Sequence, residues 1–520
     1  MLGRATAGVR DELRRHYGPD ADLIEERRRA AVRLLESAAE ELGPERRVIL
    51  CRAPGRANLM GRHVDHRGGY VNVMAISREV LLAASPRDDD TITLRNVDEA
   101  RFPRRRFRIS EILDQAHWSS WAEFIDSGPV REALDAAPAD WSHYARAPLL
   151  RLQHENGRLR LKGMDCVVSG NIPMGAGLSS SSALVVAFAE AAVALNGLDV
   201  APRDFVDLCG EGEWFVGSRG GSADHAAIHT GRLGHISRVG FLPFRVERQV
   251  PLPPDVDVVI ADSGEKAVKS AGAGQVFNQR VACYNVAEIL LRRSWPAARA
   301  AEHLRDFVPD RLGVAAGEIF SALSRLPERP SRRAVRRMLA GEDQATVERI
   351  FAAHANLGCY DLRGVTLYGI AECMRSDRFA DAIAHGNLDL VGRLMRASHD
   401  GDRRKRWTTN GSPRRHLVRT DAATLAKLAA NDADLTFQPG RYACSTEAVD
   451  RLVDVADGAE GVIGAQLAGA GLGGCMMALV KSDSTEILVE RLRETLDQQG
   501  QDANGVYLCR PVAGAGLLGV

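Results

Sequence analysis

A run of glycine and serine residues, Pro173 to Ala183 (PMGAGLSSSSA), is the segment whose residue types most clearly predict chemistry. It follows a predicted strand and opens a long predicted helix. Glycines let the backbone approach a ligand, and the first amides of a helix are unpaired donors at the positive end of its dipole. Serine hydroxyls can bond phosphate oxygens or ligate magnesium, although the same run could serve only as a helix cap. Because no GK[ST] follows, we predict a phosphate site that is not a Walker loop.

This run resembles the phosphate loop, PxGxGLSSSxA, of the GHMP kinases, the superfamily of galactokinase, homoserine kinase and mevalonate kinase. An earlier loop, residues 53–66 (APGRANLMGRHVDH), is similar to the galactokinase signature APGRxNLxGEHxDY. Further blocks that resemble galactokinase segments follow in the same order, at 213–225 (EWFVGSRGGSADH), 391–399 (VGRLMRASH), 442–453 (YACSTEAVDRLV) and 468–480 (AGAGLGGCMMALV). The resemblance to the galactokinase family therefore extends from residue 51 to residue 480.

The resemblance implies a catalytic pair, Arg56 and Asp224. Phosphoryl transfer to an alcohol needs a proton acceptor near the hydroxyl and positive charge beside the phosphoryl group. Asp224 matches the family's catalytic aspartate, and Arg56 matches the arginine that acts beside it. An Arg and an Asp within reach favour each other's charged forms. Taken alone, Asp224 could be a helix cap and Arg56 part of a surface ion pair.

The resemblance also implies that ATP and Mg²⁺ are the cofactors. Ser181 and Glu213 match the family's metal-contacting residues, although an isolated glutamate is more often an exposed helix residue. The ATP contacts that it implies are Pro173, Gly175, Ala176, Gly177, Leu178, Ser179, Ser180 and Ser181, together with Gly471 in a third glycine-rich loop. Trp141 resembles the aromatic residue that galactokinases place near adenine, and a position in a small hydrophobic core is an equal alternative.

The sugar-binding residues that the resemblance implies are Arg62, His63, Asp65, Gly221 and Phe277. Arg62 stands where galactokinases have the glutamate used for the sugar's C6 hydroxyl, and Phe277 replaces a tyrosine. This loop variant also resembles that of plant galacturonokinases. Because a guanidinium matches a carboxylate at two points, we predict either galactose or a C6-acidic relative such as galacturonate. The opposing interpretation is that Arg62 points to a local acid such as Asp65 and that the substrate is galactose.

The elements that position these residues predict an α+β fold with two lobes, because 520 residues are too many for one ordinary core. The resemblance implies the two-lobed GHMP kinase arrangement, with a ferredoxin-like sheet in the C-terminal lobe and the active site in the cleft between the lobes. We expect an N-terminal lobe at 1–250, with an insertion near 91–148, and a C-terminal lobe at 251–520, with an insertion near 292–337. The first insertion reads as a peripheral segment, and we predict surface helices in the second, which is basic and interrupted by prolines. Helical spacing predicts a helix from Ala21 to Leu42.

Composition limits the partners. Lys+Arg and Asp+Glu each total 68, so the chain has no positive field to gather nucleic acid or anionic membrane. The nine cysteines show no close CxxC pairing, which fits a reducing cytoplasm. The sequence shows neither a signal peptide nor an apolar stretch long enough for a membrane span. We expect a cytoplasmic protein that is a monomer or a weak dimer.

The sequence therefore predicts an ATP-dependent sugar kinase that phosphorylates the anomeric hydroxyl of a small-molecule sugar. One alternative is a GHMP kinase of another alcohol, such as homoserine or a mevalonate derivative, and the GRHVDH loop argues against it. The other is a catalytically inactive galactokinase-like sensor of sugar and ATP. Such sensors typically lose part of the serine loop, which is intact here.

Overall fold

The computed structural model describes residues 7–115, 120–157, 159–217, 220–266, 274–342, 344–408 and 411–519. Its strands are β1 (Ile49–Met60), β2 (Val71–Pro86), β3 (Thr91–Asn96), β4 (Arg105–Arg108), β5 (Met164–Gly170), β6 (His235–Gly240), β7 (Arg245–Pro251), β8 (Val256–Asp262), β9 (Lys405–Trp407), β10 (Pro413–Arg415), β11 (Val462–Leu467), β12 (Cys475–Lys481), β13 (Val506–Cys509) and β14 (Gly516–Leu517).

The helices of the described chain are α1 (Ala7–Tyr17), α2 (Ala21–Leu42), α3 (Ser110–Leu113), α4 (Trp121–Ile125), α5 (Gly128–Ala136), α6 (Ser142–Glu155), α7 (Ser180–Asn196), α8 (Pro202–Glu213), α9 (Ala223–Thr230), α10 (Gly274–Ser294), α11 (Pro309–Leu312), α12 (Ala316–Arg325), α13 (Arg332–Met338), α14 (Gln344–Ala352), α15 (Leu362–Ala384), α16 (Leu388–Asp402), α17 (Ala422–Ala430), α18 (Glu447–Asp457) and α19 (Thr485–Gln498). Within the described ranges, no helix is long and apolar enough to cross a lipid bilayer.

The strands form two main sheets, as the two-lobed prediction requires. The larger has eight strands in the order β14-β1-β2-β5-β3-β4, with β6 and β7 continuing from β2. The smaller is antiparallel, in the order β11-β12-β8-β13, and β9 and β10 form a separate hairpin. Strand β7 of the larger sheet ends at Pro251, and β8, the first strand of the smaller sheet along the chain, begins at Val256. The C-terminal strand β14 returns to pair with β1, so the end of the chain belongs to the larger sheet.

Helix α7 places the glycine- and serine-rich loop. Its central residues, including Val185, Val186 and Phe188, are fully buried on all sides of the helix. Such a helix must lie inside the core, and it packs against β1 and β2. It ends at Gly197, which adopts the left-handed conformation that glycine favours at the end of a helix. The buried body of α7 therefore fixes its first turn, where the serine run begins.

The segment 91–148 differs from the prediction. We expected a peripheral insertion without a core element, yet β3 pairs in parallel with β5 inside the larger sheet. Ile92 is 0% exposed and Leu94 is 2% exposed, so alternate residues of β3 face the core. The prediction was wrong here because the alternating pattern of β3 is short and lies in an Arg-rich segment, which resembles a surface insertion.

The second predicted insertion forms surface helices, as expected, but they build a core of their own. Helices α12, α13 and α14 bury apolar residues against α10, α15 and α17, among them Phe320, Leu323, Val335 and Phe351. This helical cluster supports one face of α15. Helices α15 and α16 pack on each other, and polar side chains of both helices form hydrogen bonds with the loop that follows β1.

Candidate active site

Arg56 and Asp224, predicted as the catalytic pair, are in direct contact. Arg56 lies in β1 and Asp224 in the first turn of α9; the guanidinium donates from Nε to Oδ1 at 2.7 Å and from Nη2 to Oδ2 at 2.9 Å. This two-point contact favours the ionised carboxylate, the form that can accept a proton. The Arg56 side chain is 8% exposed and that of Asp224 is 30% exposed, so the carboxylate keeps an open side. The alternative of a helix cap fails because Ser222 precedes α9.

The serine loop is tied to this pair. Ser179 adopts the left-handed conformation (φ 61°) before α7, and its hydroxyl donates to Asp224 Oδ2. Arg56 donates from its side chain to Gly177 O and from its backbone N to Leu178 O at 3.2 Å. Because the Ser179 hydroxyl does not cap α7, the first amides of the helix are left for an anion. The loop therefore fits the phosphates of ATP.

The remaining predicted ATP contacts differ in what they can offer. Gly175 is exposed, and Ser180 and Ser181 are half-exposed, which leaves them accessible to a ligand. Ala176 and Leu178 are each 1% exposed, and their carbonyl oxygens accept hydrogen bonds from Cys475 N at 3.0 Å and from Arg56 N at 3.2 Å, so these two residues hold the loop in place. Pro173 is half-buried and begins the loop.

A third glycine-rich loop, residues 468–474, packs against the phosphate loop. A Cβ atom on Gly469 would lie 2.7 Å from Gly177 O, closer than ordinary van der Waals contact. The two loops therefore approach each other only because this position lacks a side chain. Gly471, predicted to contact ATP, approaches a different segment: its Cβ would lie 2.2 Å from Cys444 O.

Glu213, predicted to contact magnesium, is held by two neighbours that the sequence analysis missed. It is 7% exposed at the end of α8; its Oε2 accepts a hydrogen bond from Ser182 Oγ at 2.8 Å and lies 2.9 Å from His225 Nε2. The only sequence signal for His225 is its place directly after Asp224. Ser181 lies beside Ser182 at the start of α7.

These oxygens fit Mg²⁺, which prefers a few hard ligands from the protein and takes the rest from phosphates and water. Within the described ranges, no group of three or more His, Cys, Asp or Glu side chains could hold a metal by itself. A metal at Ser181 and Glu213 would therefore depend on the nucleotide's phosphates for most of its coordination.

The predicted sugar-binding residues Asp65 and Gly221 lie together. A Cβ atom on Gly221 would lie 2.5 Å from Asp65 Oδ2, so a side chain at residue 221 would displace this carboxylate from its present position. Burial is the largest influence on the pKa of the Asp65 carboxyl and acts to raise it, but the hydrogen bonds and the charge that His66 supplies together outweigh burial, so the pKa lies below the ordinary value. Asp65 is therefore an ionised acceptor. The Phe277 ring lies 6.3 Å from the His63 ring and borders the same loop.

Arg62 is placed differently from the expectation that it faces a substrate carboxylate. It is 1% exposed, and its Nη2 donates to Ser398 Oγ at 2.9 Å and to Asp402 Oδ2 at 3.2 Å. Its backbone N donates to Glu372 Oε1 at 3.1 Å. The protein itself thus supplies the carboxylate that a buried guanidinium requires. The opposing interpretation named a local acid, but the acid is Asp402 from α16 and not Asp65.

Trp141 lies in a small hydrophobic core. Its side chain is 9% exposed, its Nε1 donates to Pro103 O at 3.0 Å, and the Phe102 ring packs at its edge with 5.9 Å between centroids. Both the polar atom and the ring are therefore engaged within the protein. This geometry favours the packing alternative over stacking on adenine.

Comparison with protein families agrees with this site. The GHMP kinases N terminal domain matches residues 143–232, which contain the phosphate loop, Glu213 and Asp224. The GHMP kinases C terminal domain matches residues 414–498, which contain the third loop. The chain therefore carries segments that match both the N-terminal and the C-terminal domain of the GHMP kinases. The galactokinase galactose-binding signature matches residues 39–86 of this kinase, the segment around Arg62.

The chain is 29% identical over 473 residues to "Galactokinase" of Roseiflexus sp. (strain RS-1). This alignment covers 90% of the chain and 92% of that protein. The chain is 26% identical over 441 residues to "Galactokinase" of Chloroflexus aurantiacus, with 85% and 86% covered. Its fold is similar to the crystal structure of Lactococcus lactis galactokinase complexed with galactose: TM-score 0.67, 21% identity, 94% of this chain and 99% of that chain covered. The predicted α+β GHMP kinase fold is confirmed, as is the predicted class of enzyme, a sugar kinase similar to the proteins named galactokinase.

Proposed function

We propose that this kinase transfers the γ-phosphoryl group of ATP to the anomeric hydroxyl of galactose. The observation that carries the proposal is the position of the Arg56–Asp224 pair. Ser179 of the phosphate loop donates to the Asp224 carboxylate, and Gly221, three residues before Asp224, adjoins Asp65 of the sugar loop. One carboxylate thus borders both the nucleotide side and the sugar side of the site.

In the proposed mechanism, Asp224 accepts the proton of the anomeric hydroxyl. The hydroxyl oxygen bonds to the γ-phosphorus while the bond from phosphorus to the leaving oxygen of ADP breaks. Arg56 keeps the Asp224 carboxylate ionised and places positive charge beside the transferred group. The first amides of α7 hold phosphate oxygens in line with the sugar.

We assign the metal site to Ser181 and Glu213. Mg²⁺ held by these two residues would supply positive charge that offsets the charge of the nucleotide's phosphates. Ser182 and His225 both contact Glu213 Oε2, so they fix the orientation of this carboxylate. The chain's own contribution is a carboxylate that is already in place before the nucleotide binds.

Galactose is proposed over an acidic sugar because Asp402 already meets the charge of Arg62. Galacturonate is the second candidate, and one observation favours it: among the described residues, Arg62 Nε and Nη1 have no hydrogen-bond partner. A C6 carboxylate would, however, have to reach a side chain that is 1% exposed. Phe277 offers no hydroxyl to either sugar.

We further propose that the enzyme acts in the cytoplasm as a monomer or a weak dimer. All nine cysteines are free thiols and eight of them are buried, which suits a reducing compartment. Fractionation of the source cells and light scattering of the purified protein would test these two points.

The test is a substrate screen with purified protein, ATP and Mg²⁺, following ADP release. The sugars are galactose, galacturonate, glucuronate, arabinose and N-acetylgalactosamine, with homoserine and mevalonate as non-sugar acceptors. We expect the highest kcat/KM with galactose. Turnover of homoserine or mevalonate alone would overturn the sugar assignment, and binding of sugar and ATP without turnover would favour the sensor alternative.

A further inference from the structure

The hairpin of β9 and β10 concentrates positive charge in a chain that is neutral as a whole. Residues 403–419, which include the hairpin, carry seven Arg or Lys side chains and no Asp or Glu. In the antiparallel register, Arg414 lies opposite Arg406, and Arg415 lies opposite Lys405. Like charges directly opposite each other destabilise a pair of strands. The hairpin therefore holds this charge at a cost to its own stability.

A cavity of about 200 Å³ lies beside the hairpin. Three segments line it: the end of α16 with the residues that follow, the end of β10 with the residues that follow, and residues 441–443. Within the described ranges, no lining residue belongs to the phosphate loop, to the third glycine-rich loop or to the Arg56–Asp224 pair. The cavity is smaller than the pockets of roughly 300–1,000 Å³ that hold drug-sized ligands, so it suits a ligand as small as a phosphate group.

Two arginines that line this cavity bring positive charge that the protein does not balance. Arg404 and Arg415 are exposed, and neither side chain forms an ion pair or a hydrogen bond with any residue that the structure describes. Arg441, which also lines the cavity, is instead held by ion pairs with Asp361 and Glu328. The two uncompensated charges match the charge of about −1.5 to −2 on a phosphate monoester at neutral pH.

A third arginine contributes a donor from the wall of the cavity. The Arg403 side chain lines the cavity and is only 2% exposed. Its Nε donates to Asp400 Oδ1 at 3.0 Å, and its Nη1 donates to Asp454 Oδ1 at 2.7 Å. Its Nη2 forms no hydrogen bond in the described part of the chain. The wall therefore holds a fixed guanidinium donor for which the protein supplies no acceptor, as an anion site requires.

Asp400 is the acidic residue that borders the cavity, and its charge is already offset. Its Oδ1 accepts hydrogen bonds from Arg403 Nε at 3.0 Å and from Arg406 Nη2 at 2.7 Å. Its backbone oxygen lies 2.9 Å from Nε2 of His416, which also lines the cavity. Because two guanidinium groups neutralise this carboxylate, it does not exclude an anion from the cavity.

The cavity shares residues with the structure that supports the sugar side of the active site. Gly401 lines the cavity, and its carbonyl oxygen accepts a hydrogen bond from Tyr442 N at 2.8 Å. The Tyr442 ring stacks on the His63 ring of the sugar loop, with 4.0 Å between centroids. Asp402, which follows Gly401, pairs with Arg62 of the same loop. The segments that form the cavity therefore also hold the sugar loop.

We propose that this cavity binds the phosphate group of a small molecule, either inorganic phosphate or a phosphate monoester, and that its occupation strengthens galactose binding. The first half stands without the proposed function, and the second half rests on it. Arg404 and Arg415 contact the phosphate from two segments of the chain, and Arg403 Nη2 donates to it from the wall. Because Arg403 and Arg404 directly follow Asp402, the bound phosphate orders the support of the sugar loop before the sugar binds.

The first test measures binding of inorganic phosphate and of glycerol 3-phosphate by calorimetry. A saturating non-hydrolysable ATP analogue with Mg²⁺ fills the phosphate loop. We expect one phosphate group per wild-type chain, and the ligand that binds more tightly identifies the source of the phosphate. Arg404→Gln and Arg415→Gln should each weaken binding about tenfold, as for the loss of a charge-assisted hydrogen bond. Absence of binding in the wild type, or unchanged affinity in both variants, would overturn the proposal.

Arg414→Gln is the matched control, because it removes an exposed arginine of the same hairpin that does not line the cavity. We expect its phosphate affinity to stay within about twofold of the wild-type value. If Arg414→Gln and Arg415→Gln weakened binding equally, the effect would come from the overall positive charge of the hairpin, and the site would be refuted.

Arg415→Gln also separates binding from folding. Without phosphate, we expect its denaturation midpoint to equal or exceed that of the wild type, because Lys405 loses a like charge directly opposite. With saturating phosphate, the wild type should gain more stability than the variant. A lower midpoint for the variant without phosphate would mean that Arg415 serves the fold and not a ligand.

The last test measures the Kd of galactose with and without saturating inorganic phosphate, again with the ATP analogue bound. We expect phosphate to lower this Kd about threefold or more in the wild type and to leave it unchanged in the variant that combines Arg404→Gln with Arg415→Gln. An equal Kd in both conditions would overturn the effect on galactose. Failure of the wild type to bind galactose at all would refute the proposed function and this effect with it, whereas the phosphate titration still decides whether the cavity is a phosphate site.

Discussion

The phosphate side and the sugar side of the site differ in where their charged residues find partners. On the phosphate side, Arg56 pairs with Asp224, 168 positions away. Both residues lie in segments that resemble galactokinase motifs. On the sugar side, Arg62 pairs with Asp402, 340 positions away, which no motif singled out. A charged residue in a motif therefore shows which charge is present. It does not show whether the substrate or the protein supplies the opposite charge.

The sharpest way to break the phosphate side is Asp224→Asn. We expect turnover to fall about a thousandfold, because the amide cannot accept the hydroxyl proton. ATP binding, measured by calorimetry, should change little. Since Arg56 would lose its charged partner, the denaturation midpoint should be recorded as a control. Near-normal turnover in this variant would remove Asp224 from the mechanism.

The corresponding change on the sugar side is Arg62→Glu. We expect a loss of roughly 3–5 kcal/mol in the free energy of unfolding, because the new carboxylate would face Asp402 and Glu372 in a buried site. Urea denaturation measures this loss. Arg104→Glu, at a side chain 53% exposed that forms ion pairs with Glu41 and Glu99, is the matched surface control and should lower the free energy of unfolding far less.

The same variant separates the two sugar candidates. If Arg62 bound a substrate carboxylate, the wild type would prefer galacturonate and Arg62→Glu would shift preference toward galactose by about a hundredfold. We expect instead a wild-type preference for galactose. If the wild type instead prefers galacturonate and a folded Arg62→Glu enzyme prefers galactose, then Arg62 binds a substrate carboxylate and the argument from its ion pair with Asp402 is wrong.

What the sequence predicts well in this chain is specified by neighbouring residues. Helix α2, predicted from its helical spacing, starts after Asp20, whose side chain accepts from two backbone amides, and ends before Gly43, so both limits coincide with local capping residues. The serine loop and the body of α7 follow for the same reason. These elements need no knowledge of the distant chain.

What the sequence does not predict depends on partners far along the chain. Strand β3 belongs to the larger sheet because β5, more than fifty residues later, pairs with it. The charge of Arg62 is balanced by a residue from α16, and His225 gains its role only when α9 meets α8. Tertiary packing brings these groups together, so no spacing rule could reveal them.

A smaller effect should distinguish Ser181 from Ser182. Ser182→Ala removes a donor to Glu213 but no predicted metal ligand, so we expect about a tenfold loss in apparent Mg²⁺ affinity. Ser181→Ala should raise the Mg²⁺ requirement more, with little change in sugar KM. Activity against free Mg²⁺, supported by Mn²⁺ binding in the presence of a non-hydrolysable ATP analogue, measures both. Equal Mg²⁺ dependence in wild type and Ser181→Ala would count against the metal assignment.

The smallest expected effect is that of Trp141→Phe on nucleotide binding. The substitution keeps an aromatic ring but loses the hydrogen bond to Pro103 O, so we expect a loss of about 1 kcal/mol in stability. The KM for ATP should stay within about twofold of the wild-type value if the ring only packs. A large rise in KM for ATP at unchanged stability would restore the adenine-stacking interpretation.

The most direct test of the central claim is phosphorus-31 NMR of the products formed by the wild-type enzyme with ATP, Mg²⁺ and an equal mixture of galactose and galacturonate. The account predicts ADP together with a sugar phosphate whose phosphorus couples to the anomeric proton of galactose. A product built mainly on galacturonate, or a phosphate carried on any hydroxyl other than the anomeric one, would contradict it.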